Sequence, residues 1–395
     1  MTTPTNPYRR NLYIYPFFIF FSQMLIIGPI LVPFMRFKGL DYSEILLLQS
    51  ISAISVFAFE VPTGVIADLV SRRVSLILSG LFMASGLLFY LLFSTFFHFI
   101  CAEILFGIGL TFSSGADSAL LFETLKLERK ESELQKREGT AMSFVFIGQA
   151  IGSVISGWLY RSDPYSPMWI SFANVLIAMF SAFFFREVPR EKSGQKYYKH
   201  VGASFALTFK TPALLWIVVL ASLFGFASRI SYWMYEPFFS CIHLDIRWYG
   251  IVFLFFNLTA AFSSRVLVSK ASRYKPRKVL LFLSYLLSIT FILPVLSRNY
   301  FGIVFLNFQQ VVRGMHKPVT QFYINKHIED KYRATILSTV GLASNLSFAI
   351  LSPFIGVSLD RSGAAPTYSL IFGVVFVWSV FLTVLRLYQK KRKQY

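Results

Sequence analysis

"FEVPTGVIADLVSRRVSL", residues 59–76, interrupts two long apolar runs with Glu60, Asp68, Arg72 and Arg73 placed around Gly64. The runs on either side decide what kind of chain this is. Of its 395 residues 55% are hydrophobic and only 14% charged, against about 25% charged in soluble domains. A helix rising about 1.5 Å per residue needs about 20 mostly apolar residues to cross the hydrocarbon core, and such stretches recur along nearly the whole chain. They place twelve spans at about 11–34, 43–66, 75–97, 99–123, 140–161, 167–186, 212–238, 247–268, 278–296, 301–323, 334–358 and 367–387. The runs are too long and too continuously apolar for the alternating strands of a membrane barrel. The expected fold class is an all-α integral membrane protein, and the opening stretch is its loop between spans 2 and 3.

The formal net charge of +19 could suggest a nucleic-acid partner, so the side on which each basic residue falls matters. Most of the 38 Lys and Arg fall in the termini and the even-numbered loops. The odd-numbered loops hold Arg36, Lys38, Arg161, Arg247, Arg298 and Arg361, and Arg229, Arg313 and Lys317 lie inside spans. This asymmetry sets both termini in the cytoplasm and makes the positive charge topological, with the lipid bilayer rather than nucleic acid as partner. Arg9 and Arg10 precede a run longer than a signal peptide's apolar region and without a small-residue cleavage site, so it reads as a retained first span. Cys101 and Cys241 read as two unpaired apolar thiols.

Residues 187–210 form the longest polar stretch and divide six spans from six. That division predicts a bundle over 1–190, a cytoplasmic linker over 191–210 and a second bundle over 211–395. A duplication is legible around it. "GTAMS" (139–143) recurs as "ATILS" (334–338), and "SVISGWLYRS" (153–162) meets "SPFIGVSLDRS" (352–362), matching Gly157 to Gly356 at about half the chain length. Spans 5 and 11 are therefore expected to be equivalent, in two pseudo-symmetric six-helix bundles enclosing a site near the midplane.

Gly64, Ala67, Asp68, Arg72, Arg73 and Leu76 form a G-x-x-A-D-x-x-x-R-R-x-x-L pattern that resembles the signature loop between spans 2 and 3 of the major facilitator superfamily. Leu69 and Ser71 stand where that family commonly has Arg and Gly. "SGADSALLFETL" (114–125) and "RGMHKPVTQFYINKHIEDKYRATILS" (313–338) resemble its bacterial drug-efflux-like members. Gly148 and Gly152 resemble the exporters' span 5 motif, with Ser153 in place of its Pro. The resemblance implies a secondary transporter working by rocker-switch alternating access, with spans 1, 4, 7 and 10 lining the path. Apart from the family, Gly64 lets a neighbouring helix approach closely. Asp68 can hold Arg72 or Arg73, or a neighbouring helix start, as a cytoplasmic latch.

Ionisable residues inside spans are costly and are functional candidates by default. Glu103 and Asp117 share a face of span 4. Arg229, Tyr232 and Glu236 share one of span 7, and Arg313 and Lys317 one of span 10. From the rise per residue Arg313 lies near the midplane, Arg229 about 6 Å and Glu103 about 12 Å outward, and Asp117 about 9 Å inward. Glu103 with Arg229, and Asp117 with Arg313 or Lys317, are allowed pairs that alternating access could make and break. Asp117 and Glu60 compete as structural partners of Asp68, Glu236 competes as a solvated outer residue, and Arg313 is open to gating or substrate contact. Gln23, Gln149, Asn257 and Asn345 read as interhelical hydrogen-bonding groups, Gln23 being also a candidate substrate contact. Tyr232 and Trp233 suit planar or amphipathic compounds.

The sequence holds no G-x-x-x-x-G-K-[ST] loop and no metal-binding histidine spacing. No cofactor is expected, and protons are the expected coupling ion. The function expected is proton-coupled movement of a small organic or amphiphilic solute by a monomer in a bacterial cytoplasmic membrane, outward rather than inward. The rival readings are an uptake symporter for an anionic metabolite and an integral-membrane lipid-modifying enzyme.

Overall fold

The computed structural model describes residues 7–189, 212–327 and 330–392. The expected linker 191–210 lies outside them, as do most side chains of the "ATILS" segment. Among the described residues every regular element is helical. Ten helices are long and apolar enough to cross a membrane. Ser166–Ala182 is a shorter apolar helix, and Phe301–His327 has the length but carries a polar stripe. With these two the helices follow the expected order of twelve spans.

The spans break where their sequences require it. Span 1 runs Asn11–Gln23, pauses, and resumes through Gly28–Ile30 into Leu31–Phe37, with Pro29 opening the second part. Span 4 runs Phe96–Ser113 and then Ala116–Leu127. The break falls at Gly115, whose φ of +78° is cheap only for a residue without a Cβ. Span 8 runs Tyr249–Phe262 and widens into a π-turn at Ser263–Leu267. Span 2 (Tyr42–Leu69), span 3 (Arg72–Leu92), span 5 (Leu134–Ser162) and span 6 (Ser166–Ala182) complete the first half. Span 7 (Pro212–Cys241), span 9 (Pro276–Ser297), span 10 (Phe301–His327), span 11 (Asp330–Ser362) and span 12 (Ala364–Arg392) complete the second.

By contact the chain divides into two compact units. Unit 1 comprises Met1–Leu40, Ile51–Gln195 and Ile246–Phe253, and unit 2 comprises Asp41–Ser50, Lys196–Asp245 and Leu254–Tyr395. The start of span 8 thus packs with unit 1 and the start of span 2 with unit 2. Two glycines make this possible. A Cβ on Gly157 of span 5 would collide with the Ile246 carbonyl, and one on Gly356 of span 11 would lie 2.7 Å from Ser43 Cα and from the Tyr42 carbonyl. Each unit therefore contains a helix crossing set by close backbone contact, as small residues permit in lipid. The two glycines matched in the sequence repeat occupy matching positions in space.

In unit 1, Gly109 brings span 4 onto the Met83 backbone of span 3, and Gly86 brings span 3 onto the Ala102 carbonyl. Tyr15 and Phe18 of span 1 pack with Leu120 of span 4, Ala141 of span 5 and Phe185 after span 6. In unit 2, Gly225 seats Ser344 of span 11 against span 7, and Gly314 seats span 10 on the Ala260 carbonyl of span 8. Cys101 and Cys241 are both free thiols.

Candidate functional site

The span 2 to 3 loop is wired into unit 1. Ser71 caps span 3 by accepting the Val74 N–H at 3.1 Å. Glu187, just past span 6, covers the same helix start. Its carboxylate accepts from the Ser71 hydroxyl at 2.6 Å and from the Arg72 and Arg73 N–H groups at 3.0 Å each. Negative charge is favoured at that end by the peptide dipoles. Arg73 donates to the Phe183 carbonyl at 2.8 Å. The Arg72 guanidinium reaches Glu123 of span 4 at 3.1 Å and Asp68 at 3.6 Å.

One expectation for this loop is met and one is corrected. Asp68 does hold Arg72, at 3.6 Å, but is its weaker partner, with a side chain 63% exposed. Gly64 is not a close approach: a Cβ built there meets nothing within 4 Å among the described residues. Glu60 is exposed and outside the cluster.

Glu103 is buried and receives the Tyr90 hydroxyl of span 3, a consequence of the close span 3 to span 4 packing. Asp117 opens the second part of span 4 just beyond the break at Gly115, where its carboxylate accepts the Ser118 N–H at 2.7 Å. The Ser118 hydroxyl turns to Glu138 of span 5. Tyr15 of span 1, 6% exposed, lies within electrostatic reach of both carboxylates. No described cation of unit 1 lies within 4 Å of Asp117 or Glu138. Gln23 closes the first part of span 1, before its break.

In unit 2 the charged candidates are Arg229, Arg313, Lys317 and one acid, Glu236. Arg229 donates to Asn345 of span 11 at 2.8 Å and lies 4.3 Å from the centre of the Phe348 ring. Glu236 is buried rather than solvated, because the Tyr42 hydroxyl donates to it at 2.8 Å and the Ser240 hydroxyl at 2.6 Å. Arg313 donates to Asn257 of span 8 at 2.7 Å, and Tyr232 and Tyr235 of span 7 are near enough to feel its charge. Asn257 and Asn345 thus are the interhelical hydrogen-bonding groups expected of them. Gln310 donates to the Tyr235 hydroxyl at 2.5 Å. Tyr232 meets Trp233 edge to face, and His316 stacks on Phe224. Lys317, one turn past Arg313, is exposed.

Sequence reasoning missed Glu123, Glu138, Glu187, Tyr90 and Gln310. Glu123 lay inside the quoted "SGADSALLFETL" and Glu138 directly before the "GTAMS" repeat, but each is a surface-like acid until the fold brings it to Arg72 or Ser118. Glu187 opened the polar stretch that divides six spans from six, at the end of the expected first bundle.

A family model described as Major Facilitator Superfamily matches residues 12–270 and 225–394. An uncharacterized MFS-type transporter, YxaM, of Bacillus subtilis (strain 168) is 25% identical over 365 residues, covering 85% of this chain and 87% of the relative. Among solved structures, a point mutant of the nucleoside transporter NupG superposes with a TM-score of 0.80 at 15% identity, covering 96% of this chain and 100% of that one. A bacterial homologue of the human lysosomal transporter Spinster superposes with a TM-score of 0.73 at 14% identity, covering 97% and 96%.

Proposed function

Because this chain belongs to the Major Facilitator Superfamily and is a multi-pass membrane transporter, we propose that it couples the movement of a small organic solute to protons by rocker-switch alternating access. The bundles over 1–190 and 211–395, joined by the linker 191–210, are the rocking parts, with both termini in the cytoplasm of a bacterial cell and the monomer as the working unit. Export is the direction proposed. The solved relatives named as nucleoside and Spinster-type transporters share the fold and leave the solute open.

The observation that carries proton coupling is the pair of carboxylates in unit 1. Asp117 and Glu138 stand on neighbouring spans, share Ser118, and have no cation of their unit within 4 Å among the described residues. A carboxylate held in a membrane without a fixed counter-ion changes protonation as its surroundings change. Ser118 donates its backbone N–H to Asp117 and its hydroxyl to Glu138, so the two carboxylates are held beside one residue. Arg72, Glu123 and Glu187 act at the cytoplasmic end as the fixed frame around span 3.

The test is solute counterflow and proton flux in the same proteoliposomes. Solute added to vesicles holding a pH-sensitive dye is expected to move protons in the opposite direction, and Asp117→Asn to cut that flux at least about tenfold while leaving counterflow intact. Solute transport at full rate with no proton movement would refute the coupling. Solute moving with protons rather than against them would replace export by symport.

A further inference from the structure

We infer that unit 2 carries a recognition face for a small organic anion, built by Arg313, Lys317 and Gln310 of span 10 with Tyr232 of span 7, and that the solute is an apolar hydroxy acid. This rests on the transport reading and names its substrate class.

Span 10 has two exposed faces. Phe308 and Phe322 mark one, and at about 100° per residue they lie about 140–180° round the helix from Arg313 and Lys317, which mark the other. The phenylalanine face suits lipid. The opposite face does not, because an unpaired cation against acyl chains is costly. Arg313 has one neutral partner, Asn257, and no described carboxylate of unit 2 lies within 4 Å of it or of Lys317. Two cations one turn apart without a counter-ion leave room for a carboxylate supplied from outside.

The same stripe holds oxygens that lack donors. Gln310 is 1% exposed and spends its amide N–H on Tyr235, so its Oε1 has no partner among the described residues. Thr320, about 20° round the helix from Arg313, is 6% exposed with an equally unpartnered Oγ1. Buried polar atoms left unpaired are rare enough to call for an explanation. A solute whose carboxylate meets Arg313 and Lys317 and whose hydroxyl donates to Gln310 supplies the counter-ion and one of the two missing donors. Tyr232, half-buried and set against Trp233, offers a ring face to its apolar body.

The test measures binding to purified full-length protein by tryptophan fluorescence, using 4-hydroxybenzoate, mandelate and indole-3-lactate, each against its own carboxamide. At least one acid is expected to bind ten times more tightly than its amide. That preference should fall below threefold in Arg313→Gln and in Lys317→Gln, with the melting temperature unchanged. Gln310→Leu, which keeps both charges, should lose the distinction between 4-hydroxybenzoate and benzoate.

No preference for any acid, or a preference that survives both charge variants, overturns the inference. Saturation by phosphatidylglycerol with none of the three acids binding also overturns it, because the face would then hold lipid. Counterflow separates the two levels. Transport of neutral solutes alone would refute the anion face and leave transport standing, whereas tight acid binding without counterflow would refute transport of that solute and leave the face standing.

Discussion

Two arginines at corresponding places in the two units are held by different chemistry. Arg72 begins span 3 and reaches Glu123 at the end of span 4, at 3.1 Å, with both side chains about one-seventh exposed (14% and 15%). Arg277 begins span 9 and donates to the Tyr323 hydroxyl at the end of span 10 at 2.7 Å, its guanidinium lying 5.7 Å from the centre of the Trp216 ring. One half satisfies the cation with carboxylates, the other with aromatic rings and a phenol. The contrast recurs deeper in each unit, where, among the described residues of their own unit, Asp117 and Glu138 have no cation and Arg313 and Lys317 no carboxylate within 4 Å. These two clusters differ in sign, carboxylates in unit 1 and cations in unit 2, although each unit also holds the other charge, Arg72 in the first and the buried Glu236 in the second.

The scaffold itself gives the largest expected effect. If the Gly157 and Gly356 crossings are equivalent, Gly157→Leu and Gly356→Leu should each abolish transport and lower the yield of monodisperse protein, since a side chain would have to displace backbone in both. Loss in one variant alone, measured by size-exclusion profile and counterflow, would break the equivalence. A smaller effect separates the two arginine anchors. Glu123→Gln is expected to cost about 2–3 kcal/mol, below the loss from breaking a fully buried pair, because it takes the nearer carboxylate from a mostly buried guanidinium and leaves it Asp68, whereas Tyr323→Phe removes one hydrogen bond and should cost about 1 kcal/mol. Equal losses of melting temperature would mean that the carboxylate adds nothing over the phenol.

The smallest effect tests the difference in sign. Asn257→Asp would give Arg313 an internal counter-ion and should weaken acid binding about fivefold, within the range of coupling between residues in contact. Proton flux through Asp117 should be unaffected. A gain in acid binding would remove the uncompensated charge from the account.

Most of the fold was legible because lipid leaves a strong mark on sequence. Runs of about 20 apolar residues and the sidedness of Lys and Arg do not depend on tertiary packing. The match of Gly157 to Gly356 was legible for a related reason, since a backbone contact tolerates almost no substitution. The charge partners were not. Glu103 shared a face of span 4 with Asp117 and read as path-facing, but the close span 3 packing at Gly86 and Gly109 sets it against Tyr90. Asp68 looked like the natural partner of Arg72 at four residues' separation, and only the fold revealed that Glu123 stands nearer. Helical periodicity says which residues share a face, and not which neighbour that face will meet.

Glu187 follows span 6, and its carboxylate is bound to the start of span 3 by three donors. Asn11 grips the preceding residue from span 1, accepting the Arg186 N–H at 2.8 Å and donating to its carbonyl at 2.9 Å. Residues 186 and 187 are thereby tied to the heads of spans 1 and 3 at once, so disturbing the end of span 6 would load three helices of unit 1 together.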